Sequence, residues 1–340
     1  MPERVGVIGA GAWGTALALQ AARNQHEVLL WAWEAETVEA INRLHENPTF
    51  LPGIALPESL KATSRIEEVL RVCSLLIWVT PSQVVSSLGA QVAAEVGQEH
   101  RVIVATKGLE AETQRLISEV LQEVWGSRPR IGVLSGPTFA QELALQLPTA
   151  AVIASEAEDL TLQAQSALHS TRFRLYRSHD VIGVQLGGVV KNVLAIAAGI
   201  VDGMQLGLNA RAALVCRGLA EMLRLGLALG GQAETFSGLS GLGDLVLTST
   251  GALSRNHELG YRLGTGKTLE QCLPAGGKVA EGAVNAHALV ALARQSGVEM
   301  PICSMVHRIL QQELSCAAAL ESLLERDVPH RESFTIENDS

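Results

Sequence analysis

The residues of this 340-residue chain with the types and spacing to do chemistry fall at a glycine turn, two lysines, an aspartate and a polar triplet. Gly9-Ala10-Gly11-Ala12-Trp13-Gly14 follows an apolar run and opens a helical stretch over Thr15–Asn24. In that context Gly9 permits a tight turn, Gly11 lets the backbone approach a pyrophosphate, and Gly14 lets helix and strand pack closely. The helix N-terminus adds unpaired amides, so the turn, Ala12 and Trp13 included, is expected to hold a dinucleotide. Further on, a second apolar run ends in Trp33-Glu34. Glu34 suits a ribose 2′-hydroxyl or, equally, a solvated charge opening the next helix. Trp33 offers adenine a flat face or simply closes the strand as an amphipathic residue.

Lys107 follows another apolar run, at a strand end where a cation could orient a polar substrate beside bound nicotinamide. Lys191 interrupts an apolar helical pattern, with Gly187 and Gly188 one turn before it and Ala195 one turn after. Small neighbours leave space for a ligand. Burial lowers the pKa of such a lysine and suits it to general acid–base work, while a snorkelling lysine paired with a carboxylate is the plainer reading. Asp244 follows Gly241-Leu242-Gly243, a turn that could fix its carboxylate or be an ordinary helix start. Ser254-Arg255-Asn256 presents a hydroxyl, a forked guanidinium and an amide, a set that suits a phosphate monoester or, more plainly, a polar helix cap.

These residues need a scaffold, and the pattern predicts one. Short runs at Arg4–Ile8, Glu27–Trp31, Ser74–Val79, Val102–Thr106, Ile131–Ser135, Ala150–Ala154 and Phe173–Tyr176 alternate with helical stretches such as Thr113–Trp125. That alternation predicts a doubly wound parallel α/β sheet of Rossmann type. Ligands of such sheets sit at the carboxyl ends of the strands, toward which Val79–Ser82, Thr106–Glu110 and Ser135-Gly136-Pro137-Thr138-Phe139-Ala140 point. Pro137 suits a first helical turn, with Ser135 and Thr138 as caps. After about His179 the strands give way to Ala/Leu/Gly-rich helices over Val181–Val201, Ala210–Leu229 and Val284–Ser296. Two domains are expected: a dinucleotide-binding one over 1–178 and a mostly helical substrate-binding and catalytic one over 179–340, with 326–340 a loose tail.

Composition narrows the class. Hydrophobic residues form 47% and charged residues 18%, enough apolar material for two cores, and 32 glycines supply turns. A net charge of -9 with no Lys/Arg run argues against nucleic acid. The five cysteines have no metal-ligand spacing and read as reduced core thiols, so no metal is expected. Val5–Ile8 belongs to a strand rather than a signal peptide, and Lys191 and Asn192 interrupt the longest apolar run, Val184 to Val201. A cytoplasmic protein without membrane insertion is expected.

In order along the chain, Gly9-Ala-Gly-Ala-Trp-Gly-Thr-Ala-Leu-Ala18, Phe50-Leu-Pro-Gly53, Thr106-Lys-Gly-Leu-Glu110, Ser135-Gly-Pro-Thr-Phe-Ala140, Lys191-Asn192, Gly241-Leu-Gly-Asp-Leu245, Ser254-Arg-Asn256 and Val279-Ala-Glu-Gly282 resemble the bacterial-type NAD(P)-dependent glycerol-3-phosphate dehydrogenases over nearly the whole sequence. The resemblance implies reversible reduction of dihydroxyacetone phosphate to sn-glycerol 3-phosphate, for glycerophospholipid synthesis. It makes Lys191 the proton donor and acceptor, sets Asp244 on the glycerol hydroxyls beside it, and puts Arg255 and Asn256 over the cofactor and the substrate phosphate. Val279 and Glu281 close the nicotinamide side. Gly136, Thr138 and Ser254 are expected among the substrate contacts and Ala140 among those of NAD(P)H. Lys107 is expected to serve cofactor, substrate and catalysis, in a site between the two domains.

Two positions depart from the family. Trp33 stands where relatives commonly carry a basic residue, which leaves NAD or NADP preference open. His257-Glu258 also differs from the basic or bulky pair usual there. A homodimer is implied by the resemblance. The alternatives are a related dehydrogenase acting on another hydroxy or keto acid, and a dinucleotide sensor that has no use for Lys191 and Asp244.

Overall fold

In the computed structural model, residues 3–272 and 280–326 are described. Runs of four to six residues, mostly apolar, form the strands β1 (Arg4–Ile8), β2 (Glu27–Trp31), β3 (Leu60–Thr63), β4 (Leu75–Trp78), β5 (Arg101–Val104), β6 (Arg130–Ser135), β7 (Thr149–Ala154) and β8 (Phe173–Ser178). They lie in one sheet of order β3-β2-β1-β4-β5-β6-β7-β8. Neighbouring strands are parallel except β6 and β7. The five-residue helix Ala140–Ala144 lies in the connection between them, and β7 runs back from the end where β6 stops.

Strand order reverses beside β1, whose neighbours are β2 and β4. That makes the carboxyl ends of β1 and β4 the switch point of a doubly wound sheet. β3 escapes sequence reasoning because Leu-Lys-Ala-Thr is only four residues long and holds one β-branched residue. The helices between strands are α1 (Ala12–Arg23), α2 (Ala35–Leu44), α3 (Ile66–Val72), α4 (Ser82–Gln91), α5 (Ile117–Trp125), α6 (Ala140–Ala144) and α7 (Glu158–Leu168). α1 starts three residues earlier than the pattern predicts. α5 starts four residues later, because Thr113 is held by the Glu110 carboxylate in a loop.

The remaining helices are α8 (Val181–Gly203), α9 (Gly207–Ala228), α10 (Ala233–Ser237), α11 (Asp244–Thr250), α12 (Arg255–Gly264), α13 (Leu269–Cys272), α14 (Glu281–Gln295), α15 (Pro301–Leu310) and α16 (Cys316–Leu324), with a π-helical turn over Leu239–Gly243 before α11. The chain divides into two compact units: residues up to Thr106 with Leu116–Val181, and Lys107–Arg115 with everything from Ile182 onward. The first holds the sheet. The second holds these helices and takes the segment carrying Lys107. Of the tail expected over 326–340, the residues from 327 onward lie outside the described residues.

Glycines set how closely two helices of the second unit approach. Added Cβ atoms at Gly199 and Gly203 of α8 would strike the carbonyls of His257 and Tyr261 on α12. Reciprocally, ones at Gly260 and Gly264 of α12 would strike the carbonyls of Ile196 and Ile200. Two Gly-x-x-x-Gly edges thus interlock backbone to backbone. α8 is long and apolar enough to cross a membrane, yet its residues are buried within the protein. Buried Glu221 of α9 accepts the Ile302 (2.6 Å) and Cys303 (3.2 Å) amides at the start of α15, and burial pushes its carboxyl up to about 7. All five cysteines are free. Cys73, Cys272 and Cys303 are core thiols as expected, but Cys216 is exposed and Cys316 half-buried.

Candidate active site

The glycine turn is made by backbone. Gly9 has φ of 120°, and a Cβ there would press on the carbonyl of Val79 at the end of β4. A Cβ on Gly14 would strike the Gly9 carbonyl, so helix and turn touch with no room between. In front of Gly11 the space is open. Gly11 is also the N-cap of α1, and no side chain caps that first turn, so its amides keep their anion-binding capacity. This cradle fits a dinucleotide pyrophosphate.

Asn47, which sequence reasoning missed, braces the turn. Fully buried, it donates to the Ala10 carbonyl (2.9 Å) and to Thr15 Oγ1 (2.8 Å), while its own oxygen accepts the Phe50 amide (3.2 Å). The Phe50–Gly53 motif three residues on was the available signal. Trp33 is 77% exposed and meets Trp31 edge-on at 6.4 Å, leaving its face open. Glu34 is the exposed N-cap residue of α2 and makes no side-chain cap.

The Ser135–Ala140 stretch differs from its expected caps. α6 begins at Ala140, with Phe139 rather than Ser135 or Thr138 at the N-cap, so Pro137 lies before the helix. Thr138 instead donates to the Gly136 carbonyl at 3.3 Å, and the buried Ser135 hydroxyl has no partner among the described residues. Gly136 lies against Ala151 of β7. Two adjacent strand ends are tied together where Thr106 donates to the Thr80 carbonyl (2.7 Å).

In the second unit three residues far apart in sequence meet. Lys107 Nζ donates to Asp244 Oδ2 at 2.7 Å, and Lys191 Nζ lies 3.0 Å from Asp244 Oδ1. Lys191 also donates to Thr248 Oγ1 (2.8 Å), which donates in turn to Asp244 Oδ1 (3.2 Å). Thr248 was missed from the sequence, although it lies one helical turn after Asp244 on the same face of α11. Asp244 is fully buried and Lys191 nearly so. Both plainer readings hold as well: Lys191 is paired with a carboxylate, and Asp244 opens α11. One of the small residues before Lys191 does a different job from the expected one. Gly187 is filled by the backbone of Ser240, so it seats the π-helical turn and not a ligand.

Charge and burial set the chemistry. Burial lowers the Lys191 ammonium most, the Lys107 charge lowers it further, and Asp244 with Glu281 pulls it back, leaving it at about 8. Burial pushes Asp244 up, but the two ammonium groups outweigh it and hold the carboxyl below its ordinary value. Glu281, at the start of α14, is raised by burial against the pull of Arg255, Lys191 and Lys107. Three cations thus face two carboxylates, and the excess positive charge suits an anionic ligand. With two of three Lys191 protons engaged by Thr248 and Asp244, one is left for an oxygen of that ligand.

α12 begins beside this cluster. Ser254 caps it, its hydroxyl accepting the His257 amide at 3.2 Å, and Arg255 is its first residue. Asn256 links three helices. Its nitrogen donates to Asn192 Oδ1 (3.0 Å), its oxygen accepts the Gly282 amide (2.9 Å), and Asn192 donates to the Gly188 carbonyl (3.2 Å). His257 Nε2 lies 2.8 Å from Asp202, which also holds Arg211 at 2.9 Å. Val279 lies outside the described residues. Among the described residues no group of three or more His, Cys, Asp or Glu could hold a metal ion.

Comparison with known proteins adds a second line of observation. The family model for the NAD-dependent glycerol-3-phosphate dehydrogenase N-terminus matches residues 4–161, and that for the C-terminus matches residues 180–321. A glycerol-3-phosphate dehydrogenase [NAD(P)+] of Parvibaculum lavamentivorans is 49% identical over 324 residues, 95% of this chain and 97% of its own. One from Citrifermentans bemidjiense is 45% identical over 330 residues, covering 96% and 98%. The crystal structure of glycerol-3-phosphate dehydrogenase from Coxiella burnetii superposes with a TM-score of 0.92 at 41% identity, covering 96% of this chain and 99% of that one.

Proposed function

We propose, from the premise that this chain belongs to the NAD-dependent glycerol-3-phosphate dehydrogenase family, that it interconverts dihydroxyacetone phosphate and sn-glycerol 3-phosphate with NAD(P)H, supplying glycerophospholipid synthesis. The observation that carries this reading is the buried Lys191 ammonium, held between Asp244 and Thr248 with a pKa of about 8. The Gly9–Gly14 turn would hold a dinucleotide by its pyrophosphate, and the nicotinamide of that dinucleotide would supply or take the hydride at the substrate carbon.

Lys191 gives its remaining proton to the carbonyl oxygen as charge develops there, and takes it back in the oxidation. Asp244 keeps Lys191 charged and oriented and meets the substrate hydroxyls. Lys107 steadies the oxygen electrostatically, at no reorganisation cost because Asp244 already holds it in place. Arg255 grips the phosphate through its fork, with Asn256, Ser254, Gly136 and Thr138 as further substrate contacts. Ala12, Trp13, Trp33, Ala140, Arg255, Val279 and Glu281 complete the cofactor contacts.

Loss of NADH or NADPH absorbance on adding dihydroxyacetone phosphate to purified protein tests the activity and ranks the cofactors. No loss with either removes the assignment. Arg255→Ala should raise the KM for dihydroxyacetone phosphate at least tenfold, the scale of a charge-assisted pair. An unchanged KM points to another hydroxy or keto acid.

We further propose a cytoplasmic homodimer. The first half of α9 is apolar and open, with Leu208 70% exposed and Ala212, Ala213 and Cys216 beside it. Light scattering at the mass of one chain would dismiss the dimer.

A further inference from the structure

Lys107 reaches Asp244 from a segment that must be fastened to the helices for its ammonium to stay in place. From Glu110 to Arg115 that segment is a closed loop. The Glu110 amide donates to the Arg115 carbonyl (3.0 Å), the Gln114 amide to the Glu110 carbonyl (3.0 Å), and the Glu110 carboxylate takes the Thr113 amide and hydroxyl. None of these bonds ties the loop to anything else. The tie lies two residues beyond Lys107, where the buried Leu109 amide donates to Asn285 Oδ1 on α14 at 2.8 Å.

Asn285 is itself 2% exposed, and its nitrogen donates to the Glu281 carbonyl at 2.8 Å. An N–H donor on one side and a carbonyl acceptor on the other fix which way the amide points. The second tie, Gln295 to Gln114 at 3.1 Å, is exposed and lies at the far end of both α14 and the loop. It cannot set Lys107.

We infer that Asn285 is a positioning residue for the reaction: its side-chain amide holds the Leu109 amide so that the Lys107 ammonium is presented to Asp244. No other residue type meets both partners without change. Aspartate keeps the acceptor and loses the donor, leucine loses both, and glutamine is too long for a fully packed position. The inference rests on the reading that Lys107 and Lys191 serve the carbonyl reduction.

The test is a double-mutant cycle in the full-length enzyme. Lys107→Ala is measured first, and a wild-type kcat/KM for it would remove the underlying reading rather than this one. Given the expected loss there, Asn285→Ala should lower kcat/KM for dihydroxyacetone phosphate about tenfold in the wild-type background, and by less than about twofold when Lys107 is already alanine. Asn285→Leu, which loses both partners at similar volume, should show the same dependence on background, so the cycle stands even if the alanine variant does not fold. Equal losses in both backgrounds make Asn285 merely structural and overturn the inference.

The pH profile supplies a second readout. Lys191 is faced by Asp244 and Thr248 from α11, by Lys107 from the loop and by Glu281 from α14. Of these only the Lys107 charge is displaced when Asn285 loses its grip on Leu109. Because that charge depresses Lys191, the alkaline limb of the reduction should move to higher pH in Asn285→Ala, in the same direction as in Lys107→Ala. A limb that stays in place counts against the inference. Gln295→Ala should leave both readouts unchanged, and a loss there equal to that of Asn285→Ala would assign the effect to the loop as a whole and overturn it too.

Discussion

The glycine turn of the first unit and the lysine–aspartate cluster of the second are built on opposite plans. At the turn six consecutive residues act through their main chain, and the glycines matter for the side chains they lack. In the cluster Lys107, Lys191, Asp244 and Thr248 come from a loop and two helices, and each acts through the end of a side chain. A main-chain site is specified by local sequence and tolerates little inside it. A side-chain site is specified by packing elsewhere, and its members can be probed one at a time.

That contrast can be broken or sharpened by substitution. Lys191→Ala should lower kcat about a hundredfold or more while cofactor binding, read by quenching of protein fluorescence, stays as in the wild type. Near-normal turnover would return Lys191 to the status of a paired core lysine. At the turn, Gly11→Ala and Gly14→Ala should separate binding from folding. A methyl on Gly11 meets no protein atom, so stability should hold while the dissociation constant of NADH rises about tenfold, because the methyl stands where the pyrophosphate approaches. A methyl on Gly14 meets the Gly9 carbonyl and should cost about 1–3 kcal/mol in denaturant unfolding. Equal stabilities for the two would contradict the geometry.

The smallest effect is the most diagnostic. On the proposed role, carbonyl reduction uses Lys191 as ammonium, so its rate should fall as pH rises through about 8, and oxidation should rise over the same range. Asp244 raises Lys191. In Asp244→Asn that support is lost, Lys191 gives up its proton more readily, and the alkaline limb should move down by about one pH unit or more. A limb that stays, or moves up, would mean that another group titrates.

Legibility in the sequence follows the same division. The turn, seven of the eight strands and the long helices could be read because each depends on neighbours along the chain. β3 could not, since four residues with one β-branched side chain are too short a run to stand out, and neither could the reversal at β7, which no local pattern marks. Lys191 and Asp244 were readable as candidates from their odd surroundings. Their meeting with Lys107 was not, because it joins positions 137 residues apart. Thr248, Asn47 and Asn285 are ordinary polar residues by composition, and only their partners in space give them meaning. Gly187 gave the opposite lesson: small residues beside a buried lysine look like ligand space until the backbone that fills it is in view.

The interlocked glycines of α8 and α12 make substrate choice a question of length. Lys191 belongs to one of these helices and Arg255 to the other, and with main chain pressed on main chain at four glycines neither helix can slide along its partner. With Lys191 as the proposed proton donor and Arg255 as the proposed phosphate grip, the span between them is a fixed gauge, set by two backbones rather than by adaptable side chains. A hydroxyketone phosphate one carbon longer could be accommodated only by bending the substrate, so the enzyme should measure its substrate end to end before it reads any single group.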